Sequence, residues 1–171
     1  MNPDKLLFAK THEWVNVTEQ EGEKVATMLD VNLTGALTCV LAAKDLMSRN
    51  GGRILNIASI MGLFGAPSSL SYSVAKAGLV NMTRCLACDL ADSGITVNAI
   101  APGFIETDMT KATAARIGIT FDELVQASVA QIPVGRSGKP EDIANTAAFF
   151  ADEASSFVNG QVIYVAGGPK D

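Results

Sequence analysis

The alternation of apolar and polar residues along the chain changes character near Met28. Residues 6–28 alternate in a strand-like way on either side of a polar, turn-forming stretch, which predicts a short β-hairpin whose second strand is Lys24–Met28. After Met28, helical apolar spacing and short buried-type strands follow one another to the end of the chain. We therefore predict two segments, a hairpin segment at residues 1–28 and an α/β domain at residues 29–171.

The second segment predicts helices and strands in alternation. The predicted helices are 29–49, 71–91, two short ones within 107–130, and 140–152, and the predicted strands are Arg53–Ser59, Ile95–Ala101 and Gln161–Ala166. Strands separated by helices imply right-handed crossovers and a parallel sheet covered on both faces. A complete nucleotide-binding sheet has two such halves. The predicted fold class is therefore α/β, an incomplete Rossmann-type doubly wound parallel sheet (its C-terminal half) with a short N-terminal β-hairpin.

Composition and charge argue against several classes of protein. The chain has 171 residues, of which 48% are hydrophobic and 18% charged, enough apolar side chains for a single packed core. A net charge of −5 offers no basic surface to nucleic acid or to an anionic membrane. The sequence pattern predicts no secretory signal. It also predicts no apolar stretch of about 20 residues, the length that spans a bilayer, so we expect a cytoplasmic protein.

The three cysteines, Cys39, Cys85 and Cys88, invite a redox or metal interpretation because the last two form a C-x-x-C motif. A zinc site needs a second pair of ligands, and the only histidine, His12, is distant in sequence. Since all three cysteines lie within apolar helical patterns, we predict buried, unreactive thiols and no metal site.

A tyrosine and a lysine four residues apart carry the candidate chemistry. On a helix, Tyr72 and Lys76 share one face a turn apart. A phenol is a poor base at neutral pH, but a nearby ammonium favours the phenolate and lowers the pKa of the phenol. Ser59 ends a predicted strand, at the edge where open parallel sheets bind ligands, and its hydroxyl would bond the group that Tyr72 protonates or deprotonates. The same spacing occurs on ordinary solvated helix faces, so the pair alone identifies no function.

Four motifs in series make a stronger case. They are Val31–Gly35 (V-N-L-T-G), Ser59 at a strand end, Tyr72–Lys76 (Y-S-V-A-K) and Asn98–Thr107 (N-A-I-A-P-G-F-I-E-T). In order and spacing the series resembles the short-chain dehydrogenase/reductase family over residues 29–171, and within it the 3-oxoacyl-(acyl-carrier-protein) reductases and related sugar and alcohol dehydrogenases. The resemblance implies NAD(P)-dependent oxidoreduction of ketone and secondary alcohol groups.

The resemblance also implies a role for each residue of these motifs. Tyr72 would be the general acid/base, Lys76 would lower the Tyr72 pKa and bind the nicotinamide ribose, and Ser59 would orient the substrate carbonyl. Asn32 would hold a water that links Lys76 to solvent. The implied catalytic residues are Asn32, Ser59, Tyr72 and Lys76, and the implied NAD- or NADP-binding residues are Asn32, Tyr72, Lys76, Pro102, Gly103, Ile105 and Thr107. Residues 107–130 would form a lid that sets substrate specificity.

The beginning of the chain resembles a different family. Phe8–Val15 (F-A-K-T-H-E-W-V) is similar to the amino-terminal hairpin of glycine cleavage system H proteins, over about residues 5–28. No lipoyl-lysine hairpin is present, so a carrier role does not transfer, and His12 is interpreted as a strand residue. The sequence also contains no G-x-x-x-G-x-G turn, the cradle that dinucleotide-binding sheets offer to a pyrophosphate. We therefore expect a truncated or fused domain with an exposed sheet edge.

Two hypotheses on function remain open at this point. The first is an NAD(P)-dependent oxidoreductase whose substrate is a small-molecule or acyl-carrier-bound carbonyl compound. The second is a catalytically silent fragment that retains only the oligomerisation surface of helices 29–49 and 71–91. Both predict a homo-oligomer without nucleic-acid or membrane partners. Saturable binding of NAD or NADP, despite the missing glycine-rich turn, would favour the first.

Overall fold

The computed structural model describes residues 21–47, 51–65 and 69–169. Its strands are β1 (Gly52–Ile57), β2 (Ile95–Pro102) and β3 (Val162–Val165). Its α-helices are α1 (Glu21–Leu29), α2 (Gly35–Met47), α3 (Leu70–Asp89), α4 (Asp108–Ile117), α5 (Phe121–Val129) and α6 (Pro140–Ala151). Short 3-10 turns follow β1, α3 and α6, at Ile60–Gly62, Ala91–Ser93 and Glu153–Ser155.

The three strands form one parallel sheet in the order β1-β2-β3, which confirms the predicted sheet. Gly52 lies opposite Ile95 at one end of the β1–β2 pair, and Pro102 lies opposite Val165 at the end of the β2–β3 pair. The central strand is buried from Ile95 to Ala101, the continuous burial that is typical of parallel sheets. Because the strands are parallel, their carboxyl ends lie together along one side of the sheet, which is called the carboxyl edge and is distinct from the outer strands.

Helix α3 builds the core against alternate residues of β2. Ile95 and Val97 pack in one cluster with Leu86, and Ala101 packs in a second cluster with Val80. Side chains on a strand alternate between its two faces, so every second residue of β2 faces α3. Helix α6 contacts all three strands. These two helices therefore hold the sheet at its centre, and β1 and β3 form its edges.

One continuous helix leads into the sheet. Helices α1 and α2 are joined by a π-helical segment, Asp30–Thr34, so helical structure is unbroken from the start of α1 to the end of α2. The stretch Val25–Met47 is by length and composition apolar enough to cross a membrane, contrary to the expectation that no such stretch exists. Part of it packs on α3, where Leu33 lies against Gly78, although only 6% of its apolar window is buried, and one such helix is weak evidence. The stretch by itself therefore does not indicate a membrane span.

The predicted second strand of the hairpin, Lys24–Met28, is wrong, because these residues lie in α1. Val25, Leu29 and Leu33 are four residues apart, a spacing that continues the helical apolar pattern backward through this stretch. Over a run this short, hydrophobic periodicity does not distinguish a strand from a helix. The first strand of the predicted hairpin lies outside the described residues. The division into two segments at residue 28 stays a prediction, and α1 runs across it.

Two asparagine side chains complete the hydrogen bonding of β2 where β3 has not yet begun. Strand β3 pairs with β2 only from Ala99 onward. Before that point, Asn159 Oδ1 accepts a hydrogen bond from the Val97 amide (2.8 Å), and Asn159 Nδ2 donates to the Ala87 carbonyl (2.8 Å). In return, Asn98 Nδ2 donates to the Val158 carbonyl (2.8 Å), and Asn98 Oδ1 accepts from the Gln161 amide (2.9 Å). The four bonds tie α3, β2 and the approach to β3 together.

All three cysteines are exposed, so the prediction of buried thiols is wrong. The buried stripe of α3 leaves Cys85 and Cys88 on the outer face of the helix; its members are Ala75, Leu79, Val80, Thr83, Leu86 and Ala87. Apolar residues occur around most of this helix, so its sequence does not show which side is covered.

Two ionic clusters hold the loop before α6: one joins it to the loop after β2, and the other joins it to α6. Glu106 accepts hydrogen bonds from Lys139 Nζ (2.6 Å) and from the Ser137 hydroxyl, and Arg136 makes two contacts of 2.8 Å with the Asp142 carboxylate. The bonds from Lys139 and Ser137 hold the pKa of the Glu106 carboxyl below its usual range. The Arg136 guanidinium, helped by the Lys139 amide, holds the pKa of Asp142 well below its usual range.

Acid is therefore expected to destabilise this link. A carboxyl group whose pKa is lowered in the folded state stabilises the fold above its unfolded pKa, about 4, and the contribution disappears as pH falls through the folded value. We expect the urea unfolding midpoint to drop as pH falls from about 5 to about 2, and to drop less in a Glu106→Gln/Asp142→Asn double variant. Glu141→Gln, on the same helical turn as Asp142, is the control. Identical pH dependence in the wild type and the double variant would contradict this account.

Candidate active site

Ser59 lies just beyond the carboxyl end of β1, where it opens the 3-10 turn Ile60–Gly62. Its hydroxyl oxygen accepts a hydrogen bond from the Met61 amide (3.1 Å), and the residue is 7% exposed. A hydroxyl that accepts from a backbone amide still has its own hydrogen to donate. The Ser59 oxygen is therefore held in place by the turn, while its hydrogen stays available to a ligand at the sheet edge.

Tyr72 and Lys76 occupy the first two turns of α3. Lys76 Nζ lies 5.6 Å from the centroid of the Tyr72 ring, within the range of a cation–π interaction. The same nitrogen donates to the carbonyl of Ile57, the last residue of β1 (2.9 Å). Burial lowers the pKa of the Lys76 ammonium from its ordinary value. The structure thus brings the predicted pair together on one face of α3, against the strand end that leads to Ser59.

Asn32 lies in the π-helical segment between α1 and α2. Its Nδ2 donates to the Met28 carbonyl (3.3 Å) and contacts the Met28 sulfur (3.1 Å). Single π-helical turns inside longer α-helices are rare and occur frequently at functional sites. The placement of Asn32 on such a turn is therefore consistent with the role that the sequence predicts for it.

Asn32 and Lys76 line one cavity of about 520 Å³ beside β1. Leu55 and Ile57 of β1 and Leu79 of α3 form further walls. Among the described residues β1 pairs with β2 alone, and Ile57 at its end is 46% exposed; the exposed sheet edge stays a prediction. Both side chains therefore face one cavity, and a water-mediated link between them stays a prediction.

Two of the predicted coenzyme contacts lie at the carboxyl end of β2. Pro102 is the last residue of the strand, and the Gly103 amide donates to the Val165 carbonyl (3.0 Å). A Cβ atom on Gly103 would lie 2.8 Å from Ala166 Cβ, so only glycine allows the chain to pass this close to the end of β3. The two residues therefore stand at the same edge of the sheet as Ser59.

Ile105 and Thr107, the other predicted coenzyme contacts, follow in the same loop. Ile105 is 9% exposed and forms an isolated bridge with Gly138. Thr107 is the N-cap of α4: its hydroxyl accepts from the Thr110 amide (3.4 Å), and its amide donates to the Thr110 hydroxyl (2.9 Å). These bonds hold the loop at the ligand-binding edge of the sheet, and contact of either residue with a coenzyme stays a prediction.

Known proteins resemble this chain along most of its length. The family model described as enoyl-(acyl carrier protein) reductase matches residues 8–170, a match that begins inside the predicted hairpin segment. The 3-oxoacyl-[acyl-carrier-protein] reductase of Staphylococcus aureus is 41% identical over 155 residues, which cover 90% of this chain and 59% of that protein. The chain belongs to the short-chain dehydrogenase/reductase family.

Solved structures of short-chain dehydrogenases and reductases share the fold. Sorbitol-6-phosphate 2-dehydrogenase of Erwinia amylovora is 32% identical with a TM-score of 0.79, and the match covers 95% of this chain and 65% of that one. A xylitol dehydrogenase with bound NAD+ is 29% identical with a TM-score of 0.79, over 88% of this chain and 62% of that one. The chain spans 59% of the length of the curated S. aureus relative.

This member of the short-chain dehydrogenase/reductase family has a second cavity, of about 280 Å³, beside the turn that Ser59 opens. Its walls come from that turn, the loop after β2, helix α5 with the segment that follows it, and the chain after β3; they include Ile60, Phe104, Leu124, Gln131, Ala166 and Pro169. Among the described residues no Lys, Arg, His, Asp or Glu lines it. Sequence reasoning missed Ile60 and Phe104, although each directly follows a predicted site residue.

Proposed function

We propose that this chain supplies the acid–base chemistry for nicotinamide-dependent interconversion of a ketone and a secondary alcohol. The observation that carries the proposal is the position of Lys76 Nζ, 5.6 Å from the Tyr72 ring centroid and bonded to the strand end that leads to Ser59. An ammonium near a phenol favours the phenolate, which makes the phenol a stronger acid near neutral pH. The three side chains lie at the edge of a parallel sheet where such folds bind substrates.

In the reductive direction, the Tyr72 hydroxyl donates its proton to the carbonyl oxygen of the substrate. The charge of Lys76 stabilises the phenolate that remains, so proton transfer requires less free energy than from an unassisted phenol. The Ser59 hydroxyl donates a hydrogen bond to the same carbonyl oxygen and fixes its orientation. In the oxidative direction, the Tyr72 phenolate removes the proton of the alcohol.

Proton return to Tyr72 would use the Asn32 side of the site. Burial lowers the pKa of Lys76, so its ammonium releases a proton more readily than an exposed lysine would. Lys76 and Asn32 line the same cavity. A water held by Asn32 would replace the proton of Lys76 from solvent, and Lys76 would in turn restore the Tyr72 phenol.

The described residues fit the nicotinamide end of a dinucleotide. Lys76 has two ammonium hydrogens left to donate to a ribose hydroxyl after its bond to Ile57. The loop Pro102–Thr107 brings backbone groups to the sheet edge, held close to β3 by the absence of a side chain at Gly103. A bound nicotinamide supplies the hydride. Since the sequence has no G-x-x-x-G-x-G turn, we expect weaker coenzyme binding than a complete pyrophosphate cradle would allow.

The cavity beside Ser59 favours an uncharged substrate group. Its volume is about 280 Å³, and its described walls carry no charged side chain. A phosphate or carboxylate would lose its hydration there without gaining a cationic partner. We therefore infer a 3-oxoacyl thioester, small or carrier-bound, in preference to a sugar phosphate or sugar acid. The curated S. aureus relative carries the name of a reductase for that substrate class.

We further infer a cytoplasmic homo-oligomer. The three exposed cysteines suit a reducing compartment, where free thiols persist. Large apolar side chains stand exposed on α2 and at the start of α3, at Leu41 (53%), Leu46 (75%) and Leu70 (71%). A second subunit that covered these side chains would remove their apolar surface from water.

A second candidate is a catalytically silent fragment that retains only this oligomerisation surface. The cavity of about 520 Å³ beside β1 favours this alternative, because among the described residues β1 pairs on one side only and an active site open to water there is poorly shielded. The two candidates differ in whether the site binds coenzyme.

Fluorescence titration with NADH and NADPH separates the two candidates. The oxidoreductase predicts saturable binding of at least one coenzyme, weakened in a Tyr72→Phe/Lys76→Ala double variant. Turnover is then followed with 3-oxobutanoyl and crotonyl thioesters, because the matching family model carries the name of an enoyl reductase. We expect the ketone to be reduced and the crotonyl compound to remain unchanged. No saturable binding of either coenzyme would favour the silent fragment.

A further inference from the structure

Gly62 ends the 3-10 turn that Ser59 opens, and it packs directly on the backbone of α3. A Cβ atom on Gly62 would lie 2.6 Å from the carbonyl carbon of Lys76, 2.8 Å from the amide nitrogen of Ala77 and 2.9 Å from Lys76 Cβ. Real Cβ atoms do not approach backbone atoms so closely. Any side chain at this position would therefore push the turn away from α3.

Hydrogen bonds within the turn join Gly62 to Ser59. The Gly62 amide donates to the Ser59 carbonyl (3.0 Å), and the Met61 amide donates to the Ser59 hydroxyl oxygen (3.1 Å). The Leu63 amide donates to the Ile60 carbonyl (3.0 Å) and closes the turn. Because the turn is bonded internally, a displacement of Gly62 is transmitted to the Ser59 hydroxyl.

Residues that come before and after Ser59 along the chain both contact Lys76. Before Ser59, the Ile57 carbonyl accepts from Lys76 Nζ (2.9 Å). After Ser59, Gly62 lies against Lys76 Cβ and the Lys76 carbonyl carbon. The segment that carries the Ser59 hydroxyl is therefore anchored at both ends to the residue whose ammonium faces the Tyr72 ring.

We propose that Gly62 is a positioning residue, whose missing side chain sets the distance between the Ser59 hydroxyl and the Tyr72–Lys76 pair. The inference rests on the function proposed above for these three side chains. A methyl group at position 62 needs a shift of about 1 Å to reach an ordinary contact distance. Tyr72 and Lys76 share α3, so this shift leaves their mutual distance unchanged.

Gly65 provides the matched control, because a Cβ atom there would meet no atom within 4 Å. We expect Gly62→Ala to lower kcat about tenfold to a hundredfold, with the coenzyme Kd and the pH dependence of kcat unchanged. Gly65→Ala should keep the wild-type kcat. A Gly62→Ala kcat equal to that of Gly65→Ala overturns the proposal, and so does failure of Gly62→Ala to fold, since the expected displacement is local.

A double-mutant cycle distinguishes positioning from general damage. Ser59→Ala should lower kcat much less in the Gly62→Ala background than in the wild type, because the hydroxyl that it removes is already misplaced. Losses that simply multiply, as for two independent sites, would overturn the positioning role.

Hydrogen exchange of the Met61 amide, followed by NMR, gives a readout that requires no activity. This amide is bonded to the Ser59 hydroxyl oxygen. Its exchange should be about tenfold faster or more in Gly62→Ala and unchanged in Gly65→Ala. If the Met61 amide exchanges at the wild-type rate in both variants, the turn is not held on α3 by Gly62, and the proposal is overturned whatever the activity. Faster exchange in Gly62→Ala, with no turnover by the wild type, supports the docking and rejects the proposed function instead.

Discussion

Replacing Tyr72 with phenylalanine is expected to lower the kcat of ketone reduction about 10²- to 10⁴-fold, the contribution of a positioned general acid. The substitution removes one oxygen atom and keeps the ring that Lys76 Nζ faces at 5.6 Å, so the cation–π contact survives. The coenzyme Kd and the unfolding midpoint should therefore change far less than kcat. Steady-state NADPH oxidation with a 3-oxobutanoyl thioester measures the loss.

The chain offers an internal control for this substitution, because Tyr164 is its only other tyrosine. Tyr164 lies on β3, is 49% exposed, and packs edge-on against Phe64 with ring centroids 6.3 Å apart. Tyr164→Phe keeps this ring contact and should leave kcat unchanged. Similar losses in the two variants would mean that the rate reports on the fold rather than on the Tyr72 proton.

Replacing Asn159 with alanine is expected to produce the largest loss of stability. Asn159 bonds the Val97 amide and the Ala87 carbonyl at 2.8 Å each, and both of those residues are buried. A buried polar group left without a partner costs about 1–3 kcal/mol, so the free energy of unfolding should fall by roughly 2–4 kcal/mol. The loss corresponds to a fall in Tm of roughly 5–15 °C for a chain of this size, measured by thermal unfolding.

Asn145 on α6 is the matched control for Asn159, because it is an exposed asparagine in the middle of a helix. Asn145→Ala should leave Tm near the wild-type value, since alanine is favoured in helices and no buried group loses a partner. Equal Tm values for the two variants would contradict the view that Asn159 completes the bonding of β2.

The central strand and the later helices could be predicted because their signals are local. The stretch Ile95–Ala101 is mostly apolar and ends at Pro102-Gly103, which is typical of a buried strand, and Pro140 is suited to a first helical turn. The sequence T-x-x-E at Thr120–Glu123 is a local signature of a helix start, and in the structure the two side chains cap α5 reciprocally: Thr120 Oγ1 accepts from the Glu123 amide (3.2 Å), and the Glu123 carboxylate accepts from the Thr120 amide (2.8 Å).

Features that depend on tertiary packing could not be predicted in the same way. The five residues of the π-helical turn, Asp30–Thr34, include no glycine or proline to distinguish it from the α-helix around it. The helix of Lys24–Met28 resembles a strand over so short a run. Gly62 stands in a glycine-containing loop, and its contact with Lys76 exists only once the turn packs on α3. The exposure of Cys85 and Cys88 likewise depends on which side of α3 meets the sheet.

The residues of the candidate site could be selected from the sequence because four motifs in series resemble one family, and elementary geometry then places those residues near one another. Tyr72 and Lys76 need only a helix to share a face, and a strand end is enough to bring Ser59 to the ligand-binding edge. The distances between side chains, the bond from Lys76 to Ile57 and the cavity shared with Asn32 required the fold. The roles of these residues stay predictions until rates are measured.

Proton donation by Tyr72 is tested most directly by measuring ketone reduction by the wild type, Tyr72→Phe and Tyr164→Phe, with coenzyme binding measured on the same samples. We expect the wild type and Tyr164→Phe to bind coenzyme and to reduce a 3-oxobutanoyl thioester at similar rates, whereas Tyr72→Phe should bind coenzyme and turn over about 10²- to 10⁴-fold more slowly. Equal rates in all three proteins, or coenzyme bound by a wild type that reduces no ketone, would contradict it.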